Sequence, residues 1–321
     1  MYGSCGASAL QEFFPIVLPV GACLMQQRPK TIVNATSKDK TFPRLMILPT
    51  IIVLLVMTTY PLIFTVFYSF TDYNYLKGGV FKFIGMQNYD KLLHAKYFQI
   101  AVLNTIKFTI LAVFFEMVFG ILMAIFVKSL NPNFQHVMRV LLLLPYLLPT
   151  ATVSTAWKMM LSQNYGIVNQ LLATFHLPVH NWFMETETAF KMILLIDVWQ
   201  NIPFVFLLLY ACLQTVPNDQ YEAALIDGAN SLQLFWHITI PNIKEGIALC
   251  ALLRTIDTFR LFDKVNILTG GGPAGTTSTI TQFIYNYGIK SLKFGYGSAG
   301  ALLMTILVLG LSVVYIKKAI K

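Results

Sequence analysis

The sequence predicts an all-α polytopic membrane protein, and three observations carry that reading. Of 321 residues, 56% are hydrophobic and only 12% charged, with a mean hydropathy of +0.64, more apolar than ordinary soluble domains. Apolar runs of about 20 residues recur along the chain, the length a helix needs to cross a hydrocarbon layer. Prolines lie inside those runs, which bilayer helices tolerate because neighbouring groups re-satisfy the freed backbone.

The net charge of +9 fits basic loops beside anionic lipid headgroups and requires no nucleic acid. Cys5, Cys23, Cys212 and Cys250 show no CxxC spacing, so neither a zinc site nor a disulfide framework follows from them. No repeat of solenoid period is present.

Residues 1–44 read as a cytoplasmic or interfacial tail. The apolar stretch Phe13 to Met25 is too short to span and holds Pro15 and Pro19. It also lacks the basic leader of a signal peptide. Arg28, Lys30, Lys38, Lys40 and Arg44 then form a basic flank. The transmembrane body, 45–321, divides into six expected spans at about 45–71, 98–127, 140–160, 192–216, 243–262 and 294–316. Pro49 and Pro61 fall in the first and Pro203 in the fourth, where a kink can free backbone groups beside a polar patch. The connector from Leu161 to Lys191, with Trp182, Glu185 and Glu187, is expected outside the membrane. Lys317, Lys318 and Lys321 close the chain. Six spans put both termini on one side, and the bias of Lys and Arg toward that side is carried mainly by the two ends.

Between spans four and five lies a polar island, 217–241, whose residues read as two short helices and a forced turn. Asp219 and Glu222 have capping-box spacing for the first helix, and Asn230 and Gln233 repeat it for the second. Gly228 supplies a left-handed C-terminus between them, and Pro241 is expected to stop the second helix.

Charges inside spans are expensive unless paired or wetted. Arg254, Asp257, Arg260 and Asp263 alternate in sign at three-residue steps, within mutual reach on one helix. Two readings stay open: a wall of a translocation path, or a structural ion-pair ladder. Asp197, Trp199, Gln200 and Asn201 form a second polar patch. An aromatic face beside amides and a carboxylate is the chemistry that meets the C–H surface and hydroxyls of a sugar. Glu116 and Lys107 stand too far apart on span two to pair, and packing against a partner subunit accounts for them. Gly270 to Thr277 mimics a phosphate loop, but Thr276 stands where the lysine must be. No nucleotide site follows, so energy has to come from another subunit.

The island carries a resemblance. Glu222-Ala223-Ala224, then Gly228, then Ile238 and Pro241 resemble the EAA loop of permease subunits in bacterial and archaeal ABC importers, with Ile240 in place of the usual Leu. A second stretch adds to it: Leu268-Thr269-Gly270-Gly271-Gly272-Pro273 after Phe262-Asp263, with Tyr285 and Gly295-Tyr296-Gly297-Ser298-Ala299, is similar to carbohydrate-importer permeases of the MalF/UgpA/SugA type. That resemblance runs from about Arg44 to the C-terminus. It implies a six-helix type I importer core of the MetI-like kind, with a cytoplasmic coupling loop in which Glu222, Ala223, Ala224, Asp227, Gly228, Ala229, Phe235, Ile238 and Pro241 meet an ATPase. It further implies a heterodimer with a second homologous permease, two ATP-binding subunits that hold ATP and Mg, and an extracytoplasmic sugar-binding protein. The implied place is the inner membrane of a prokaryotic cell, crossed several times, with both termini cytoplasmic. The substrate path is then expected at Asp197, Trp199, Gln200, Asn201, Arg254 and Asp257, with no cofactor in this chain. An ion- or proton-coupled secondary transporter is the alternative. A membrane-embedded enzyme would need a metal or nucleophile set, and His94, His136, His176, His180 and His237 are scattered.

Overall fold

A computed structural model describes residues 41–319. The reading of residues 1–44 as a tail therefore falls outside the described residues up to position 40, and its last four residues, Thr41 to Arg44, instead begin a helix. The chain divides at Pro61 into two compact units. The described part is helical, with a single isolated β-bridge between Thr71 and Phe83. Helix α1 is Thr41–Ser69 and runs through Pro49 and Pro61. Next come α2, Gln87–His94, and α3, Lys96–Ser129. Helices α4, Pro132–Leu147, and α5, Thr150–Met160, precede the short α6, Ile167–Thr174. Then come α7, Thr186–Gln214, α8, Asn218–Ile226, and α9, Ser231–Leu234. The chain ends with α10, Ile240–Phe259, α11, Asp263–Leu268, α12, Ile280–Ile284, and α13, Phe294–Ala319.

Among the described residues, four helices are long and apolar enough to cross a membrane, namely α1, α3, α7 and α13, and the pair α4 and α5 makes a fifth if taken as one broken span. The third expected span, 140–160, is thus not a straight helix: it bends by 87°. Pro149 precedes α5 and has no N–H to continue the ladder, so the helix breaks there. The freed Leu148 carbonyl accepts from Gln200 Nε2 at 3.0 Å, which is how irregular backbone is satisfied at membrane depth. Helix α10 has 20 residues, about 30 Å of rise. It is too polar to qualify as a span by hydropathy because it carries Lys244, Glu245, Arg254 and Asp257.

Helices α3 and α7 form the most extensive packing pair. Gly120 makes their close approach feasible, since a Cβ there would lie 2.4 Å from Val205 Cγ1. Two apolar clusters are strung along this pair. One gathers Phe108, Ala112, Ile193 and Ile196 with Val265 and Leu268. The other gathers Met117, Ala124, Val205, Phe206 and Leu209 with Ile243 and Cys250. A third cluster, Leu92, Phe98, Ile280, Phe283 and Ala299, joins α2 and the start of α3 to α12 and α13. The Gly-Tyr-Gly stretch of α13 belongs to that end. A Cβ at Gly295 would lie 2.1 Å from the Thr71 carbonyl, and one at Gly297 would lie 2.5 Å from Gly288 Cα, so both glycines are required by backbone contact.

Gly120→Ala is expected to destabilise the α3–α7 pair by about 1–3 kcal/mol, the usual penalty of overpacking. A lowered melting temperature of the detergent-solubilised protein checks this, and an unchanged one refutes the close-contact account.

Candidate functional site: a buried charge cluster and an exposed elbow

Between the two apolar clusters of the α3–α7 pair sit four charged side chains almost wholly shielded from solvent. They are Glu116 of α3, Asp197 of α7, Arg254 of α10 and Lys264 of α11, with exposures of 0%, 3%, 4% and 2%. Arg254 grips Glu116 with two hydrogen bonds, Nε to Oε2 at 2.7 Å and Nη2 to Oε1 at 2.9 Å. This bidentate geometry suits a planar guanidinium and is the strongest form of the pair. Lys264 Nζ donates to Asp197 Oδ1 at 2.5 Å, and Asn201 Nδ2 donates to the same oxygen at 3.0 Å. The other carboxylate oxygen, Oδ2, is buried with no hydrogen-bond partner, although Arg254 Nη2 lies 3.8 Å away. Two cations and two anions cancel, so the burial penalty is offset pair by pair.

This corrects two expectations. Glu116 does not face a partner subunit: it is enclosed by its own chain and engaged by Arg254. The ladder of Arg254, Asp257, Arg260 and Asp263 does not form one helical stripe either, because α10 ends at Phe259 and Asp263 begins a new helix. Of that series only Arg254 and Asp257 approach each other, at 3.4 Å, and Asp257 is over half exposed. No local pattern signals that Lys264 joins Asp197, since the two are 67 residues apart.

A polar cleft of about 220 Å³ opens onto this cluster, lined by Asp197, Asn201, Arg254 and Asp257 with Tyr146 and Arg260 among others. Four of the six residues expected on a substrate path therefore converge. The remaining two do not. Gln200 gives its Nε2 to the Leu148 carbonyl and buries its Oε1 without a partner, and Trp199 packs edge-on against Trp157 with ring centroids 5.6 Å apart.

At the C-terminal end of α7 the chain forms the elbow. Helix α8 begins at Asn218 after Pro217, and no side chain caps it. Asp219 falls within the first turn and the expected Asp219–Glu222 box is absent. Its acidic side chain there still complements the helix dipole. Gly228 turns the chain with φ +83°. The Asn230–Gln233 capping box is present in both directions, at 2.9 and 2.8 Å. Pro241 does not stop the second helix: α9 passes through a π-helical turn, Phe235–Thr239, directly into α10, with Pro241 in its first turn. A proline needs no N–H at a helix start, so a register shift at the π turn accommodates it.

Glu222, Ala223 and Asp227 are exposed, whereas Ala224, Ala229, Phe235 and Ile238 are half-buried. The elbow also presents apolar side chains that sequence reading passes over: Leu225, Ile226, Leu232 and Trp236 are 58%, 86%, 67% and 58% exposed. Apolar groups concentrated at a polar bend are the composition of an interaction surface. The elbow is braced from behind. Lys128 Nζ donates to the Leu213 carbonyl at 2.9 Å and lies 5.0 Å from the centroid of Tyr221. Tyr221 in turn meets Thr239 Oγ1 at 3.1 Å.

A helical bundle with long apolar spans, one of them broken, a charge-lined cleft and an exposed apolar elbow fits a multi-pass membrane permease. The chain belongs to the family of binding-protein-dependent transport system inner membrane components, whose model matches residues 116–320. It is 36% identical over 289 residues to the trehalose/maltose transport system permease protein MalF of Thermococcus litoralis, covering 88% of this chain and 97% of that protein. It is 32% identical over 279 residues to the sulfoquinovosyl glycerol transport system permease protein SmoG of Agrobacterium fabrum, covering 87% and 90%. Among solved structures, a bacterial ABC transporter involved in import of the acidic polysaccharide alginate contains a chain of the same fold. That likeness has a TM-score of 0.79 at 21% identity and covers 88% of this chain and 96% of that one. The role is that of an ABC importer permease, and the MetI-like helical core agrees with the expected fold.

Arg254→Met leaves Glu116 buried without its cation, while Asp197 keeps Lys264, and is expected to destabilise the protein by about 3–5 kcal/mol. Adding Glu116→Gln to Arg254→Met should recover part of that loss. Thermal unfolding of the solubilised variants reads both, and equal loss in the single and double variants contradicts the pairing.

Proposed function

We propose that this chain is one of two homologous permeases in an ATP-driven importer of a carbohydrate, a disaccharide or oligosaccharide such as trehalose or maltose. Two ATP-binding subunits dock on the cytoplasmic side and hold ATP and Mg, and an extracytoplasmic sugar-binding protein delivers substrate. This chain itself is non-catalytic, and both its termini are cytoplasmic. The observation that carries the reading is the exposed apolar elbow, Leu225 to Trp236, shaped by the left-handed turn at Gly228. A bend that presents Ile226 almost fully has a use in a partner's cleft and little in isolation. The carbohydrate class is supported by the names of the relatives and by the neutral hydrogen-bonding capacity beside the cleft.

In this reading Glu222, Ala223, Ala224, Asp227, Gly228, Ala229, Phe235, Ile238 and Pro241 form the seat for the ATPase. Closure of the ATPase dimer draws paired elbows together and rocks the bundle between inward- and outward-facing states. Loaded binding protein and ATP favour the outward state through differential affinity. Sugar hydroxyls pass the cleft, where Asn201, Arg254 and the exposed carboxylate of Asp257 offer polar contacts. Trp199 and Gln200 contribute through packing and through the α4–α5 break. A secondary transporter would not need the elbow, and membership of a binding-protein-dependent family speaks against it.

Gly228→Asp imposes strain of about 1–2 kcal/mol at a positive φ, which shifts the equilibrium between the native turn and its alternatives by about tenfold. In the reconstituted complete importer, ATPase activity stimulated by loaded binding protein should fall, with membrane insertion intact. Unchanged stimulation counts against the coupling role.

A further inference from the structure

The glycine-rich segment that mimics a phosphate loop has no part in the function so far described, yet it forms one wall of a cavity of about 470 Å³. That volume is within the range of small-molecule sites. Facing the loop are Ser162, Gln163, Tyr165 and Asn181, and Asn266 of α11 completes the polar lining. From these groups we infer that the cavity is an outer subsite for a neutral sugar ring, separate from the charge-lined cleft. The inference rests on the carbohydrate reading and deepens it.

The lining chemistry selects the ligand. Lys158 is the only charged side chain among the lining residues, and its Nζ is committed to the Ile267 carbonyl at 2.5 Å. An anion thus finds a single ammonium, one of whose three N–H donors is already engaged, and no guanidinium or second cation to hold it. An apolar ligand would bury amides without partners, which is unfavourable. Gln163 Oε1 accepts from Asn181 at 2.8 Å, and Asn266 Oδ1 accepts from Gln282 at 3.3 Å. The NH₂ groups of Gln163 and Asn266 donate to no other group among the described residues, so they are available for hydroxyls. Tyr165, 65% exposed, offers an aromatic face for the C–H surface of a sugar.

The loop is held in shape before any ligand arrives. Gly270 and Gly271 take φ of +64° and +92°, conformations a side chain would resist. Thr277 Oγ1 donates to the Gly272 carbonyl at 2.6 Å and meets Thr269 Oγ1 at 2.8 Å. Position supports the same use. The cavity borders the start of α7 through Asn181 and Met184, whereas the elbow follows its end at Gln214. The 29 residues of α7 separate the two by about 43 Å. Helix α11 connects the subsites: Lys264 lines the charged cleft, and Asn266 and Leu268 line the outer cavity. A sugar released on the side away from the elbow meets the neutral cavity and then, along α11, the cleft.

Photo-crosslinking tests the assignment in the complete importer, solubilised in detergent. Gln163 is replaced by p-benzoylphenylalanine in one preparation and Asn201 in another, with tritiated maltose and tritiated trehalose as probes and tritiated glucuronate as the acidic control. The expected result is labelling of the Gln163 variant by at least one neutral sugar, about fivefold above glucuronate, and reduced about threefold when Tyr165→Ala is added. Labelling of the Asn201 variant alone overturns the outer subsite and leaves the carbohydrate reading standing. Labelling of neither overturns both. Equal labelling of the Gln163 variant by glucuronate overturns the neutral ligand class, and insensitivity to Tyr165→Ala overturns the aromatic wall.

Discussion

The bidentate contact between Arg254 and Glu116 is the constraint on which the rest of the bundle depends. It fixes the rotation of α10 against α3, because a guanidinium can meet both carboxylate oxygens in only one orientation. The second pair, Asp197 with Lys264, fixes α11 against α7. Since Arg254 also lies near Asp197, the four helices are locked at one level by a single network. In an apolar solvent such a network has no alternative partners nearby, which makes it more specific than the leucine and phenylalanine packing above and below it.

That apolar packing has a different role. The Gly120 contact and the clusters on either side of the charges give α3 and α7 a close, extended interface, the scaffold from which the other elements are hung. The two ends of this scaffold differ in character. One carries apolar side chains exposed on a braced bend. The other carries a glycine loop and neutral amides around a cavity.

The fold class is legible in the sequence because hydropathy over long runs is a strong signal. The turn at Gly228 and the Asn230–Gln233 cap are legible because each is set by a few adjacent residues. Sequence is least informative where distant segments decide the outcome. Glu116 reads as a partner contact because its own span offers no cation, while Arg254 lies 138 residues away. The ladder at Arg254 to Asp263 fails for a local reason: periodicity assumes a helix that continues, and this one ends at Phe259. Pro241 misleads in the opposite sense, since a proline that usually ends a helix here sits in the first turn of one. Convergence of Asp197, Asn201, Arg254 and Asp257 on one cleft is readable in kind, but the diversion of Gln200 to a broken span becomes visible only once the bend at Pro149 is known.

The uninterrupted path from Ser231 to Phe259 carries one more implication. A π turn links the elbow to α10 without a break in helical structure. Trp236 and the guanidinium that grips Glu116 therefore belong to one continuous helical segment, about 27 Å apart along its axis, and the elbow and the buried ion pair share a single element.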